Sequence, residues 1–229
     1  MNRQSNWTLV LCALLMAAGC SKQQPGPTPV AEPAAAPAAA ASAPPASAAT
    51  RAQPAEPDER AAAIQAALAE DAIVSDARGQ WAVAATASST YGDKEPEAKS
   101  SYTAHMATGA PNVDKYSDNG NAWATATPDK GIEWLEVVFA NPVHATQIRI
   151  RQNYAPGAII KVELVAENGS KYTVWEGVDD QQHAPGTIAW FDRSFARTAD
   201  KVKSARITLA TNAVPGWNEI DAVQLLGET

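Results

Sequence analysis

Two carboxylates, Glu219 and Asp221, stand two positions apart in the stretch VPGWNEIDAV, directly after a Pro-Gly turn. Residues i and i+2 of a β-strand point to one face, so the pair would be neighbours about 6.5–7 Å apart along the chain. Val223 and Leu225 would continue the same face into a core. Paired acids cleave glycosidic bonds only when they flank the scissile bond across a cleft, one of them with a raised pKa. Two acids in a row on one strand edge flank nothing, so no catalytic residues are expected and the chain does not read as an enzyme. The plainer reading is that both accept loop N–H groups at the rim of a sheet. Other constellations fail. His105, His144 and His183 lie far apart without ligand spacing for zinc. Ser88-Ser89 has no nucleophile-elbow context, and neither GxSxG nor a P-loop occurs.

Aromatic side chains beside amides offer a different chemistry. Tyr116, Trp123, Tyr154 and Trp217 fall in loops or at strand ends, next to Asn119, Asn121, Asn153 and Asn218. Sugars are held by an aromatic face against their C–H groups, while amides and carboxylates fix the hydroxyls. Tyr116, Asn121, Asn153, Tyr154, Trp217 and Asn218 are therefore the expected ligand-binding set, with the alternative that some of these rings close the ends of the core. Trp134, Trp175 and Trp190, inside alternating strands, are expected in the core itself. Arg149 and Arg151 alternate with Ile148 and Ile150, the pattern of a solvated strand face.

The elements that must position these residues are strands. AIIKVELVA (158–166) and SKYTVW (170–175) alternate with period two around Asn168-Gly169, whose tolerance of positive φ makes a type I′ hairpin the expected turn. Further strands are expected at WAVAATA (81–87), EWLEVVF (133–139), ATQIRIRQ (145–152), TIAWFDRSF (187–195), KSARITLAT (203–211) and WNEIDAVQLL (217–226). Eight short strands without a convincing helix after residue 79 indicate an all-β fold, an eight-stranded antiparallel jelly-roll sandwich over 79–229. Before it, 58–74 reads as a short helix with Asp58 as N-cap and Ile64 and Leu68 at i, i+4.

The N-terminal third has a different character. Residues 21–57 hold 14 Ala and 9 Pro, too little apolar bulk to fold, and recurrent Pro biases them toward an extended linker. Residues 1–20 carry Arg3, an apolar run and the ending Ala17-Ala18-Gly19-Cys20, an export signal whose run is too short to span a bilayer. That ending resembles the lipobox of bacterial lipoproteins, which implies lipidation of Cys20 and, with Ser21 following, an outer-membrane address. Two or more acyl chains would make a stable anchor where one is marginal. The only other cysteine, Cys12, lies within the apolar run, so the processed chain has no disulfide. A formal net charge of −7 without a basic cluster argues against nucleic acid and against polybasic membrane contact.

Taken together, ATASSTYG, ATGAPNV (107–113), Ala122-Trp123, EWLEVVFANPVHATQIRIR (133–151), NYAPGAI (153–159) and EIDAVQLLG (219–227) resemble the galactose-binding-like, discoidin-type β-sandwich superfamily, relatives of coagulation-factor C-type domains. The resemblance covers about Trp81 to Gly227. It implies a jelly roll that binds glycans, lipid surfaces or proteins through loops at one end, and it places Trp123 in the core. It also implies a structural calcium held by Glu219 and an early loop. Here that loop reads Thr108-Gly109-Ala110-Pro111-Asn112 where calcium-binding relatives carry Asp, which leaves Asn112 and Asp114 as the oxygen donors. The expectation is a lipid-anchored envelope protein whose head binds a carbohydrate, or alternatively an envelope protein as an assembly subunit.

Overall fold

The computed structural model describes residues 57–95 and 99–229. The expected signal peptide, lipobox Cys20 and Ala/Pro linker lie outside the described residues. Helix α1 (Pro57–Val74) is followed by seven strands: β1 (Gly79–Ala87), β2 (Ile132–Tyr154), β3 (Ile159–Ala166), β4 (Lys171–Glu176), β5 (Ala189–Ser194), β6 (Val202–Ala210) and β7 (Glu219–Glu228). All pairings are antiparallel.

The eight expected strands become seven because 133–139 and 145–152 are two halves of one strand, β2. Its first half pairs with β1 and β6, its second with β7 and β5. Between them the pairing with β6 slips from Val138 to Val143, around Asn141-Pro142, where proline has no N–H for a ladder. Gln80 bridges the corner. Its side-chain amide donates to the Asn141 carbonyl (2.6 Å) and its oxygen accepts the Asn141 N–H (3.0 Å), as a neighbouring strand would. Two layers result: β1–β2–β6–β3–β4 against β1–β7–β2–β5, with β1 and β2 shared, the closure of a jelly-roll sandwich.

Alternation explains the core. Leu135, Val137 and Phe139 of β2, Val162 and Leu164 of β3, Ile207 and Leu209 of β6, and Ile220, Val223 and Leu225 of β7 are buried with Phe191 and Trp123. Each such side chain contributes about 1.5–3 kcal/mol. Trp123 is fully buried and donates its indole N–H to the Ser89 carbonyl (3.0 Å).

Three strand expectations fail for identifiable reasons. Trp134 lies on the outer face of β2, because Glu133, Leu135 and Val137 take the inward phase; Arg206 covers its ring at 4.1 Å. Trp190 likewise points away from the core, whose position in β5 belongs to Phe191, and Trp175 is partly buried at the core's edge, 4.9 Å from the Phe191 ring. The β3–β4 hairpin is not type I′. Only Gly169 has positive φ (85°), and the Gly169 N–H bonds to the Ala166 carbonyl, so the turn runs over 166–169 and closes on a left-handed glycine.

Arg149 and Arg151 are not on a solvated face. Both are buried, and each is paired with carboxylates from the end of α1 or the residues after it and from β5 or β7. Helix α1 starts with Pro57 in its first turn, which places Asp58 inside the helix and not at the cap. It buries none of its residues, leaves Ile64 and Leu68 exposed, and docks only through its last turn and the residues just after it. The Glu70 carboxylate takes Arg151 Nε (2.8 Å) and the Trp190 indole N–H (2.7 Å); the Ile73 carbonyl accepts from Gln224 (3.2 Å), and Asp76 pairs with Arg149 (3.2 Å). A buried guanidinium requires such partners, since leaving it unpaired costs several kcal/mol, about 3–5. Among the described residues no helix is long and apolar enough to cross a membrane.

Candidate ligand-binding site

The start of β7 is where the sheet meets the loops. Glu219 and Asp221 share a face, as expected, yet Val223 and Leu225 do not continue it. The β2–β7 register slips between Arg151 and Gln152, opposite Ala222 and Ile220, leaving Asp221 as the extra residue of a bulge. A one-residue slip reverses every later side chain, so Ile220, Val223 and Leu225 enter the core while both acids face the 112–121 loop.

Each acid is tied to that loop. Asp221 accepts the N–H groups of Asn112 (3.3 Å) and Val113 (3.4 Å) and an ion pair from Arg151, which also donates to the Val113 carbonyl (2.8 Å). Glu219 accepts the Asn119 N–H (3.1 Å) and the Asn153 amide (2.6 Å), both on Oε2. Its Oε1 is buried without a partner, as are the Oδ1 atoms of Asn153 and Asn218. Burial, reinforced by the nearby Asp118 carboxylate, pushes the Glu219 carboxyl from its ordinary 4.5 up to about 8.

Above Glu219 is a cup lined by Tyr91, Tyr102, Asp118, Ala124, Trp217 and Glu219, open to solvent. Three loops build it. Tyr91 stands edge-on to both Tyr102 (5.2 Å, 79°) and Trp217 (5.5 Å, 78°). Two of the rings are anchored by their own polar atoms, the Trp217 indole N–H on the Thr125 carbonyl (3.0 Å) and the Tyr102 hydroxyl on Asp118 (2.7 Å), while Tyr91 is held through its backbone N–H on the Ala124 carbonyl (2.9 Å). That last bond pushes the Tyr102 phenol up to about 12. Tyr102 sits at φ 63°, a left-handed conformation that costs a bulky residue on the order of 1–3 kcal/mol. Its N–H to Gly120 (2.9 Å) and its carbonyl to Ala124 (3.3 Å) hold it there. Among the described residues, no lysine, arginine or histidine lines the cup.

The expected ligand-binding residues divide into groups. Trp217 is in the cup. Asn153 is buried beneath it and holds Glu219 and the Ser117 carbonyl (3.1 Å), a positioning role. Asn218 braces the 154–157 turn through the carbonyls of Ala155 (2.8 Å) and Val214 (3.3 Å). Tyr116 and Tyr154 form a separate pair (5.2 Å), with the Tyr116 hydroxyl accepting the Ala155 N–H (3.4 Å). Asn121 closes a turn by donating its N–H to Asn119 Oδ1 (3.0 Å). Tyr91, Tyr102 and Asp118 were not expected; the neighbouring Ala124-Thr125 backbone and the positive φ of Tyr102 gather them, and nothing in their spacing announces it. Of the three expected calcium ligands, Asn112 donates its N–H to Asp221, Asp114 is exposed, and Glu219 accepts from Asn119 and Asn153. Among the described residues no group of three or more His, Cys, Asp or Glu has metal-holding geometry.

Two antiparallel layers closed through a shared bent strand, with loops gathered over one rim, define a jelly-roll β-sandwich module. Residues 71–229 match the family described as Pappalysin-1, SD scarf domain, C-terminal, and the chain belongs to that family. No curated protein matches the sequence. Among solved structures, the chain is similar to the chitosan-binding module 1 of a chitosanase/glucanase from Paenibacillus sp. IK-5, at 18% identity and TM-score 0.44 over 62% of this chain and 93% of that one. It is similar to an F5/8 type C domain from Bacteroides fragilis, at 15% identity and TM-score 0.45 over 66% and 98%. It is also similar to the family 32 carbohydrate-binding module of C. perfringens NanJ, solved with galactose, at 19% identity and TM-score 0.41 over 64% and 98%.

Proposed function

We propose that the protein is a non-enzymatic, lipid-anchored module of the bacterial outer membrane whose head binds a saccharide in the cup formed by Tyr91, Tyr102, Trp217, Asp118 and Glu219. The observation that carries this reading is the composition of the cup: three aromatic rings beside two carboxyls. Rings supply the apolar face, and carboxyls bind the hydroxyls. The Cys20 ending and the Ala/Pro stretch support an anchor and a spacer holding the head off the bilayer.

Calorimetric titration of the full protein with a panel of mono- and disaccharides tests the reading. Trp217→Ala and Tyr91→Ala are expected to lower affinity at least about tenfold each, the range of a lost ring contact. Affinity unchanged in both variants, with the fold intact by circular dichroism, refutes the assignment of the cup.

A further inference from the structure

We propose that Glu70 of α1 is a positioning residue for the cup: it holds the Arg151 guanidinium in the orientation that fixes the 112–121 loop, so docking of the helix and the geometry of the cup are coupled. The inference rests on the reading of the cup as the saccharide site. Arg151 is 6% exposed and stands between helix and loop. On the helix side the Glu70 carboxylate lies 2.8 Å from its Nε. On the loop side a single nitrogen, Nη1, donates both to the Val113 carbonyl (2.8 Å) and to Asp221. Asp221 in turn accepts the N–H groups of Asn112 (3.3 Å) and Val113 (3.4 Å). The start of the loop thus hangs on Arg151 and Asp221. Its later residues bring Asp118 to the Tyr102 hydroxyl (2.7 Å) and the Asn119 N–H to Glu219 (3.1 Å).

The contact with Glu70 is ionic. The carboxylate is close to Nε, yet the Nε–H has no aligned acceptor, so charge and not a directed hydrogen bond holds that edge of the fork. A guanidinium and a carboxylate left to themselves favour two parallel N–H···O bonds. With Glu70 in place, Arg151 instead divides one nitrogen between Asp221 and the Val113 carbonyl. Removing the Glu70 charge frees the fork to turn side-on to Asp221, which draws Nη1 from the Val113 carbonyl and occupies the oxygens that the Asn112 and Val113 N–H groups use. Those two bonds, at 3.3 and 3.4 Å, are longer than the ordinary range of about 2.7–3.2 Å and are the first to give way. Helix α1 suits a reversible role because it buries none of its residues and gains little from packing, so a few polar contacts at one end decide whether it docks.

Amide hydrogen exchange of the full protein without ligand, read by NMR at Asn112, Val113 and Asn119, is the test. Glu70→Ala and Glu70→Gln are both expected to raise exchange at Asn112 and Val113 about tenfold, the range of one lost hydrogen bond. Gln keeps an oxygen for the Trp190 indole N–H but carries no charge, so it separates the ionic hold on Arg151 from a merely structural role of the helix. Arg151→Lys keeps a charge beside Asp221 without the planar fork and should release the same amides. The Asn119 amide signal, at the base of the cup, should shift in all three variants. Faster exchange confined to 57–74, with Asn112, Val113 and Asn119 at wild-type values, overturns the coupling. Wild-type loop exchange in Glu70→Gln overturns the ionic hold on Arg151. No ligand enters these measurements, so their failure is distinct from failure of the sugar titrations, which would remove the saccharide reading instead.

Discussion

Replacing Glu219 by Gln should change how the fold responds to pH more than it changes the fold. The Glu219 carboxyl holds its proton up to about pH 8 in the folded state, against an ordinary 4.5. A carboxyl whose folded pKa lies above its unfolded one contributes stability that is complete below pH 4.5 and is lost as pH rises to about 8, because the unfolded chain releases the proton first. At 1.36 kcal/mol per pH unit the whole interval would amount to nearly ~5 kcal/mol. Solvent at the mouth of the cup screens part of it, leaving about 3 kcal/mol. Gln cannot ionise, and its oxygen can still accept from Asn119 or Asn153. Urea denaturation at pH 5 and pH 8 is the assay. Wild type should lose about 2 kcal/mol more than Glu219→Gln across that range, a difference of ~0.7–2 M in midpoint for an ordinary m-value. Asp221, also raised by burial, is present in both proteins and cancels. Parallel stability profiles for the two proteins would refute the claim that Glu219 is held protonated.

Other outcomes follow from named contacts. Arg151→Met should destabilise the fold by about 3–5 kcal/mol in chemical denaturation, because it strands buried Asp221. Glu70→Ala removes the carboxylate that ties α1 to Arg151 and Trp190, so amide exchange across 57–74 should accelerate while exchange in β2 and β7 stays slow. Gly169→Ala, at φ 85° with open space around it, should cost about 1 kcal/mol through backbone strain alone. Cys20→Ser should abolish incorporation of labelled palmitate and release the protein from the membrane fraction.

Much of the fold is legible in the sequence because period-two alternation is a local signal: Leu135, Val137, Val162, Leu164, Ile207 and Leu209 announce their faces by spacing alone. Phase is harder to read where a strand carries a large side chain on both faces. At Glu133-Trp134 the acid is inside and the tryptophan outside, because Ser88 from a distant segment and Lys130 three residues before it serve the acid. Arg149 and Arg151 look solvated for the same reason, since the carboxylates that pair with them come from α1, the residues just after it, β5 and β7, far away in sequence. The bulge at Asp221 is invisible in EIDAV, and it decides which way five residues point. The position of Trp217 at the rim is legible because it follows a Pro-Gly turn beside an acid. Tyr91, Tyr102 and Asp118 were not, because only the closure of three loops makes them neighbours.

The most direct measurement is a crystal structure of the protein soaked with the tightest-binding saccharide of the panel. One sugar ring should lie against Trp217 and Tyr91, with its polar groups on Asp118 and Glu219. A ring bound instead at the Tyr116–Tyr154 pair, or anywhere outside the cup, would contradict the account.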